Sequence, residues 1–213
     1  MKISVGISNR HVHLSLDDYK ALFNDTNFTK RNDLNQGMEF ASTLTVTIKG
    51  PKGEIPNVRV LGPLRSYTQV EVSQTDAYKL GITPPVTSSG NLEDASNITI
   101  INGSNMIDRK CCIIQNRHIH LNKEEQLKYK LFKDVYEVRV GGVKGVILEN
   151  VHLKVNDNFK FELHLDTDDA NCCLLKNGDM VDIINTDIYK YNNQDVYVYN
   201  ISQDKIENEE FYE

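Results

Sequence analysis

The pattern Asn-Arg-His-x-His-Leu occurs twice in this chain, as Asn9-Arg10-His11-Val12-His13-Leu14 and as Asn116-Arg117-His118-Ile119-His120-Leu121. In an extended segment residues i and i+2 point to the same side, so each pair can aim two imidazoles at one point. On a helix the two rings would diverge by about 200°. The pattern therefore asks for strands. The repeat is also larger than the six residues. Each copy follows a strand-like run and precedes a helix start. In the first copy this is Ser15-Leu16-Asp17-Asp18, opening a helix to about Leu22 or Phe23. In the second it is Asn122-Lys123-Glu124-Glu125, opening one toward Leu131. One copy stands in each half, which points to a duplication with a pseudo-twofold arrangement.

The remaining segments are mostly short strands. Thr43 to Ile48 alternates, with Leu44, Val46 and Ile48 on one face, and Gly50-Pro51-Lys52-Gly53 follows as a hairpin turn. Val58–Leu61, Thr68–Val72, Ile98–Ile101, Cys111–Ile114, Val135–Val140 and Val151–Val155 read as strands. Phe159 to Leu165 alternates again and sets His164 with Glu162 on the polar face. Thr75 to Gly81 reads as a short helix stopped by its glycine. Many short strands punctuated by turns predict a mainly β protein of small barrels with short capping helices. At 213 residues the chain has room for two small domains. The polar tail from Asn192, acidic from Asp204, reads as solvated.

Composition removes several functions. The formal net charge is −6, with no Lys/Arg run, which argues against nucleic acid or an anionic membrane surface as partner. No apolar stretch approaches the ~18 residues of a membrane-spanning helix. The chain starts directly in a strand-like run, without a targeting extension, so a cytoplasmic location is expected. Cys111-Cys112 and Cys172-Cys173 are adjacent pairs that suit small, buried, reduced residues better than disulfides.

Two His-x-His pairs in identical context suit metal binding, with His11, His13, His118, His120 and His164 as available ligands. His152 alternates with Val151 and Leu153 and reads as a strand-surface residue. A cupin would want a Glu about four residues beyond its second His, where the first copy has Asp17, and Ser15 and Leu16 stand where a metallo-β-lactamase continues its motif. The chain is too short and too poor in helix for an amidohydrolase barrel. In the middle segment Arg65 reads as a turn residue whose guanidinium fork suits a phosphate oxyanion. Glu71, in a strand, could supply a carboxylate ligand.

Together these residues resemble the PduL-type phosphotransacylases, the phosphate propanoyltransferases. The resemblance is carried by Val5 to Ser15, Val58 to Pro63 with Arg65, Gln69-Val70-Glu71-Val72-Ser73, Asn116 to His120, and His164 to Asn171. It runs from about residue 3 to about residue 185. It implies two small β-barrels with the active site between them. The central barrel would take residues 11–105. The second would take residues 1–10 with 106–213, the N-terminal strand joining the C-terminal half. It implies two zinc ions per chain, one held by Glu71, His118 and His120 and the other by His11, His13 and His164. Arg65 would hold the attacking phosphate, with Ser89 beside it. The expected partners are coenzyme A or acyl-CoA and inorganic phosphate, with assembly into a homo-oligomer left open. Two departures stand out. The segment Leu34 to Met38 lacks the family's proline, and Cys172-Cys173 stand where small residues are common.

The activity implied is interconversion of acyl-CoA and phosphate with acyl phosphate and CoA. Phosphate is already a dianion near neutral pH, so direct attack on the thioester needs no serine or cysteine nucleophile. A cationic site with Arg65 would offset the repulsion between two anionic reactants. Two other readings use the same residues: a zinc hydrolase of thioesters or phosphoesters, and a metal-stabilised binding module. The second would want closed four-ligand sites, whereas each expected set supplies three protein ligands.

Overall fold

A computed structural model describes residues 1–24, 28–34, 37–184, 188–191 and 194–197. Most of the tail expected to be solvated lies outside these residues, as do Asn35 and Gln36 of the proline-less loop. The first half of the chain forms β1 (Lys2–Ser8), β2 (His11–Ser15), α1 (Leu16–Phe23), β3 (Lys30–Asp33), β4 (Phe40–Lys49), β5 (Glu54–Arg65), β6 (Gln69–Glu71), α2 (Gln74–Leu80), β7 (Val86–Thr87), β8 (Ser96–Asn102) and β9 (Asn105–Gln115). The second forms β10 (His118–Leu121), α3 (Lys123–Tyr129), β11 (Val135–Val140), β12 (Val146–Val155), β13 (Glu162–Asp166), α4 (Thr167–Cys173), β14 (Met180–Ile183) and a hairpin of β15 (Ile188–Tyr191) with β16 (Gln194–Tyr197).

These strands close two six-stranded barrels. One runs β4-β5-β2-β6-β9-β8 and returns to β4. The other runs β11-β12-β10-β13-β1-β14 and returns to β11. Written in this order, the two circuits match step for step in parallel and antiparallel pairing. The duplication thus extends to the whole barrel topology. It is also crossed: β1 sits in the second barrel but leads into β2 of the first, and β9 sits in the first but leads into β10 of the second. The first barrel therefore extends past residue 105, because β9 pairs with β6, β7 and β8 as far as Gln115.

The chain crosses between barrels at Asn9-Arg10 and at Asn116-Arg117, which explains why both copies carry Asn-Arg. Arg10 donates to Asp76 of α2 at 2.8 Å. Arg117 donates to Asp169 of α4 at 2.9 and 2.7 Å. Each arginine thus pins its crossover to the helix that follows a site strand of the barrel being entered. Asp168 of α4 also accepts from the Thr75 amide of α2 at 2.7 Å, tying the halves together.

The helices form where their caps ask. Ser15 accepts from the Asp18 amide, and Asn122 with Glu125 completes a reciprocal capping box. Ser73 caps α2, and Gly81 ends it at φ 74°, a conformation glycine adopts without strain. α4 went unrecognised in the sequence. Its cap is Asp166, which accepts from both the Asp168 and Asp169 amides. Each barrel has its own apolar core, one containing Val12, Leu14, Val60, Val70 and Ile100, the other Ile3, Val5, Ile119, Leu121 and Leu163. Cys111, Cys112 and Cys173 are buried free thiols, as expected, whereas Cys172 is exposed.

Asp18 supports the first barrel from below. Its buried carboxylate accepts from Arg109 at 3.1 and 2.5 Å and from the Thr68 hydroxyl at 2.5 Å. Burial alone would raise its pKa, but the Arg109 and Thr68 bonds outweigh it and hold the pKa below 3.8. A depressed carboxylate pKa stabilises the fold above the unfolded value, and that contribution is lost as pH falls through the folded value. Asp18→Asn is therefore expected to cost about 1–3 kcal/mol at pH 7. In urea titrations its deficit against the parent should shrink below about pH 4.

Candidate metal centre and anion cleft

Strand alternation puts the apolar residues of β2, β6, β10 and β13 into the two cores and turns the intervening residues outward. Val12 and Leu14 point into one barrel, so His11 and His13 leave it. Ile119 and Leu121 point into the other, so His118 and His120 leave that one. The barrels face each other on these sides, and the five histidines between them are only 2–8 % exposed. A cleft of ≈ 710 Å³ opens over them, lined from both barrels.

Strand register then selects the partners. In β2–β6 pairing, His11 stands opposite Glu71 and His13 opposite Gln69. In β10–β13 pairing, His118 stands opposite His164 and His120 opposite Glu162. Two groups result: His11, His13 and Glu71, and His118, His120 and His164, each with ligand atoms within 4.8 Å of one another. All six residues expected as ligands line the cleft, and their ligand atoms cluster by barrel, whereas the resemblance implied sets that cross it. Glu71 joins the first histidine pair and His164 the second, the reverse of the expected exchange. Each triad is built within one barrel by neighbouring strands rather than across the cleft.

The histidine tautomers fit a metal. His11 Nδ1 donates to the Asn9 carbonyl at 2.8 Å, and His118 Nδ1 donates to the Asn116 carbonyl at 2.8 Å. A carbonyl can only accept, so each ring keeps its Nε2 lone pair for a ligand. His13 Nδ1 and His120 Nδ1 are buried with no hydrogen-bond partner. A buried, unsatisfied polar atom costs ~1–3 kcal/mol, and a coordinated cation at each triad would satisfy it. Both triads can hold a metal ion on these grounds. Burial pushes the pKa values of His13, His118 and His120 down, keeping them neutral as ligation requires. His11 differs. Burial pulls its pKa down too, but Glu71, 3.4 Å away, outweighs that and raises it. Burial would raise the Glu71 pKa, yet His11 holds it well below the carboxylate range.

A polar network leads from the first triad to the expected phosphate residues. Gln69, fully buried, donates to Glu71 at 2.6 Å and to the Ser89 hydroxyl at 2.8 Å, and accepts from the Gly90 amide at 2.8 Å. Arg65, the last residue of β5 rather than a turn residue, donates to Ser89 at 3.1 Å and to Glu39 at 2.6 Å. The structure thus brings Arg65 and Ser89 together beside the first triad. Three contributors were missed in the sequence: Gln69, Glu39 and Lys154. The last pairs in register with His120 from β12 and lines the cleft. Phe159 stacks on His120 with ring centroids 3.8 Å apart. Glu162 lies 3.0 Å from His164 Nε2, and a Cβ on Gly6 would meet that carboxylate at 2.8 Å, so a side chain there would displace Glu162. His152 faces a separate depression with Asn150 and Asp169 and joins neither triad.

Two duplicated barrels that each present a triad able to hold a metal ion to a shared, arginine-bearing cleft have the layout of an enzyme. The chain belongs to the phosphate propanoyltransferase family, whose sequence profile it matches over residues 4–176, and it is an acyltransferase. It is 45 % identical over 186 residues to the phosphate propanoyltransferase of Thermotoga maritima, covering 85 % of this chain and 89 % of that one. Identity is 41 % to the Rhodopseudomonas palustris protein of the same name, covering 85 % and 82 %. It is 40 % to that of Salmonella typhimurium, covering 79 % and 82 %.

Proposed function

We propose that this protein interconverts acyl-CoA and phosphate with acyl phosphate and CoA, acting on short acyl groups such as acetyl and propanoyl. The observation that carries the reading is the placing of Arg65 and Ser89 on the same cleft as two facing, open ligand triads. Two zinc ions suit the imidazole-rich sets, one with His11, His13 and Glu71 and one with His118, His120 and His164. When bound, such ions supply Lewis-acid charge to polarise the thioester carbonyl and to accept the leaving sulfur.

The chain's own residues do the rest. Arg65 presents a planar fork to the phosphate oxygens, and Glu39 and Ser89 hold that fork in place. The Ser89 oxygen accepts from both Arg65 and Gln69, which leaves its hydroxyl hydrogen free to donate to phosphate. Gln69 couples this arm to Glu71, so the anion site and the first triad move as one unit. Direct attack in a ternary complex follows, with no acyl-enzyme. Ping-pong kinetics or an acyl group trapped on the chain would contradict it.

Among the described residues no helix is long and apolar enough to cross a membrane, and the free thiols suit a reducing compartment such as the cytoplasm. The decisive assay is CoA release from acetyl- and propanoyl-CoA by zinc-loaded protein, with and without inorganic phosphate. Release that requires phosphate and yields acyl phosphate is expected. Release indifferent to phosphate would make the protein a thioester hydrolase instead.

A further inference from the structure

Arg65 is already partnered inside its own barrel, by Glu39 and Ser89. The facing barrel also places a cation on the cleft, and this one has no such partner. Lys154 has no hydrogen bond or ion pair to any described residue, although its side chain is half-buried. The charges that act on it are Glu71, Arg65 and Glu39, all on the opposite barrel. Burial pulls its pKa down to about 8. An ammonium held part-way out of water, within the field of Glu71 and Glu39 across the cleft but ion-paired with neither, still has its hydrogen-bond donors to offer an arriving anion.

The pseudo-twofold sharpens the point. In the first barrel the residue paired with the second histidine, His13, is Leu61. In the second barrel the equivalent partner of His120 is Lys154. The duplicated scaffold therefore carries an aliphatic side chain at one position and a cation at its twin. Nothing in the barrel cores requires that difference. The reactants supply a reason, since a single anion lying between the barrels can be gripped by one cation from each wall.

We infer that Lys154 is a second phosphoryl-binding cation, set opposite Arg65 so that phosphate, or the phosphoryl end of acyl phosphate, is held from both barrels. The inference rests on the phosphate acyltransfer reading above. It distinguishes the reactant phosphoryl group from the other phosphates that could reach a lysine here, those of coenzyme A.

The test compares the parent with Lys154→Met, which keeps the apolar stem, and with Lys154→Arg, which restores a cation. Phosphate is titrated at saturating propanoyl-CoA, then propanoyl-CoA at saturating phosphate. Stabilisation of the zinc-loaded protein against thermal unfolding by phosphate alone gives a readout without turnover. Lys154→Met should raise the phosphate KM by roughly tenfold or more, the scale of one lost charge-assisted hydrogen bond. It should leave the acyl-CoA KM within about twofold and reduce the thermal shift caused by phosphate. Lys154→Arg should recover most of both. If Lys154→Met does not fold, Lys154→Gln carries the same comparison. An unchanged phosphate KM would overturn the proposal, and a rise confined to the acyl-CoA KM would do so by assigning Lys154 to the coenzyme. A parent enzyme that releases CoA without phosphate would overturn the acyltransfer reading itself and this inference with it.

Discussion

His118→Ala is expected to abolish phosphate-dependent CoA release, by roughly 10³-fold or more, since a catalytic ion is worth several kcal/mol of transition-state stabilisation. The same variant should lose about half of its bound zinc, because the first triad draws on none of the residues of the second. His118 is fixed at both ends. Its Nδ1 is tied to the Asn116 carbonyl at 2.8 Å, and its ring lies 4.5 Å from His120 and 5.1 Å from His164, centroid to centroid. Removing it takes one of the three proposed ligands of the second triad and leaves the buried, unpartnered His120 Nδ1 without the cation that would satisfy it. His152→Ala is the matched control. His152 pairs with His118 in the adjacent strand but lines the separate depression with Asn150 and Asp169 and belongs to neither triad. It should keep zinc content and turnover within about twofold, as substitutions outside the site usually do. Elemental analysis beside the turnover assay checks both. Chelation of the parent should reproduce the His118→Ala loss, and zinc should reverse it only in the parent.

Arg65→Ala should lower kcat/KM for phosphate by roughly 10²-fold or more while leaving zinc content intact, because Arg65 ligates nothing. Loss of the guanidinium removes a bidentate anion contact and leaves Glu39 without its 2.6 Å partner. The freed carboxylate then adds negative charge where the phosphate must bind, so the effect should exceed that of a single hydrogen bond. Arg65→Lys keeps the charge but not the fork and should recover only part of the loss. Steady-state titration of phosphate separates this outcome from a general defect. An equal rise in the acyl-CoA KM would place Arg65 at the coenzyme instead. The contrast with His118→Ala is diagnostic, one variant losing metal and the other losing phosphate.

Much of this site was legible because its chemistry is local. The histidine pairs, the caps Ser15 and Asn122 and the alternation around His164 are each set by neighbours a few residues apart, and each appears where the sequence puts it. The helix after His164 was missed because Asp166-Thr167-Asp168-Asp169 reads as a polar loop unless its cap is recognised. A signal for the ligand partition was also present. Glu71-Val72-Ser73-Gln74-Thr75-Asp76-Ala77 matches His164-Leu165-Asp166-Thr167-Asp168-Asp169-Ala170 in its ligand, cap, acidic and alanine positions, at a spacing of 93 residues (71 to 164) instead of 107 (11 to 118). The second spacing makes Glu71 and His164 equivalents, each clustered with the histidine pair of its own barrel.

The sequence by itself determined the histidine pairs, the duplicated unit and the mainly β character, since these follow from strand periodicity and capping over short distances. Only the tertiary structure decided that β9, past residue 105, closes the first barrel and that the candidate ligand atoms cluster within each barrel. The same holds for Lys154, which lines the same cleft as Arg65. Those outcomes depend on which strands pair and in which register, and pairing between segments far apart in the chain is settled by closing two barrel cores at once rather than by any residue's neighbours.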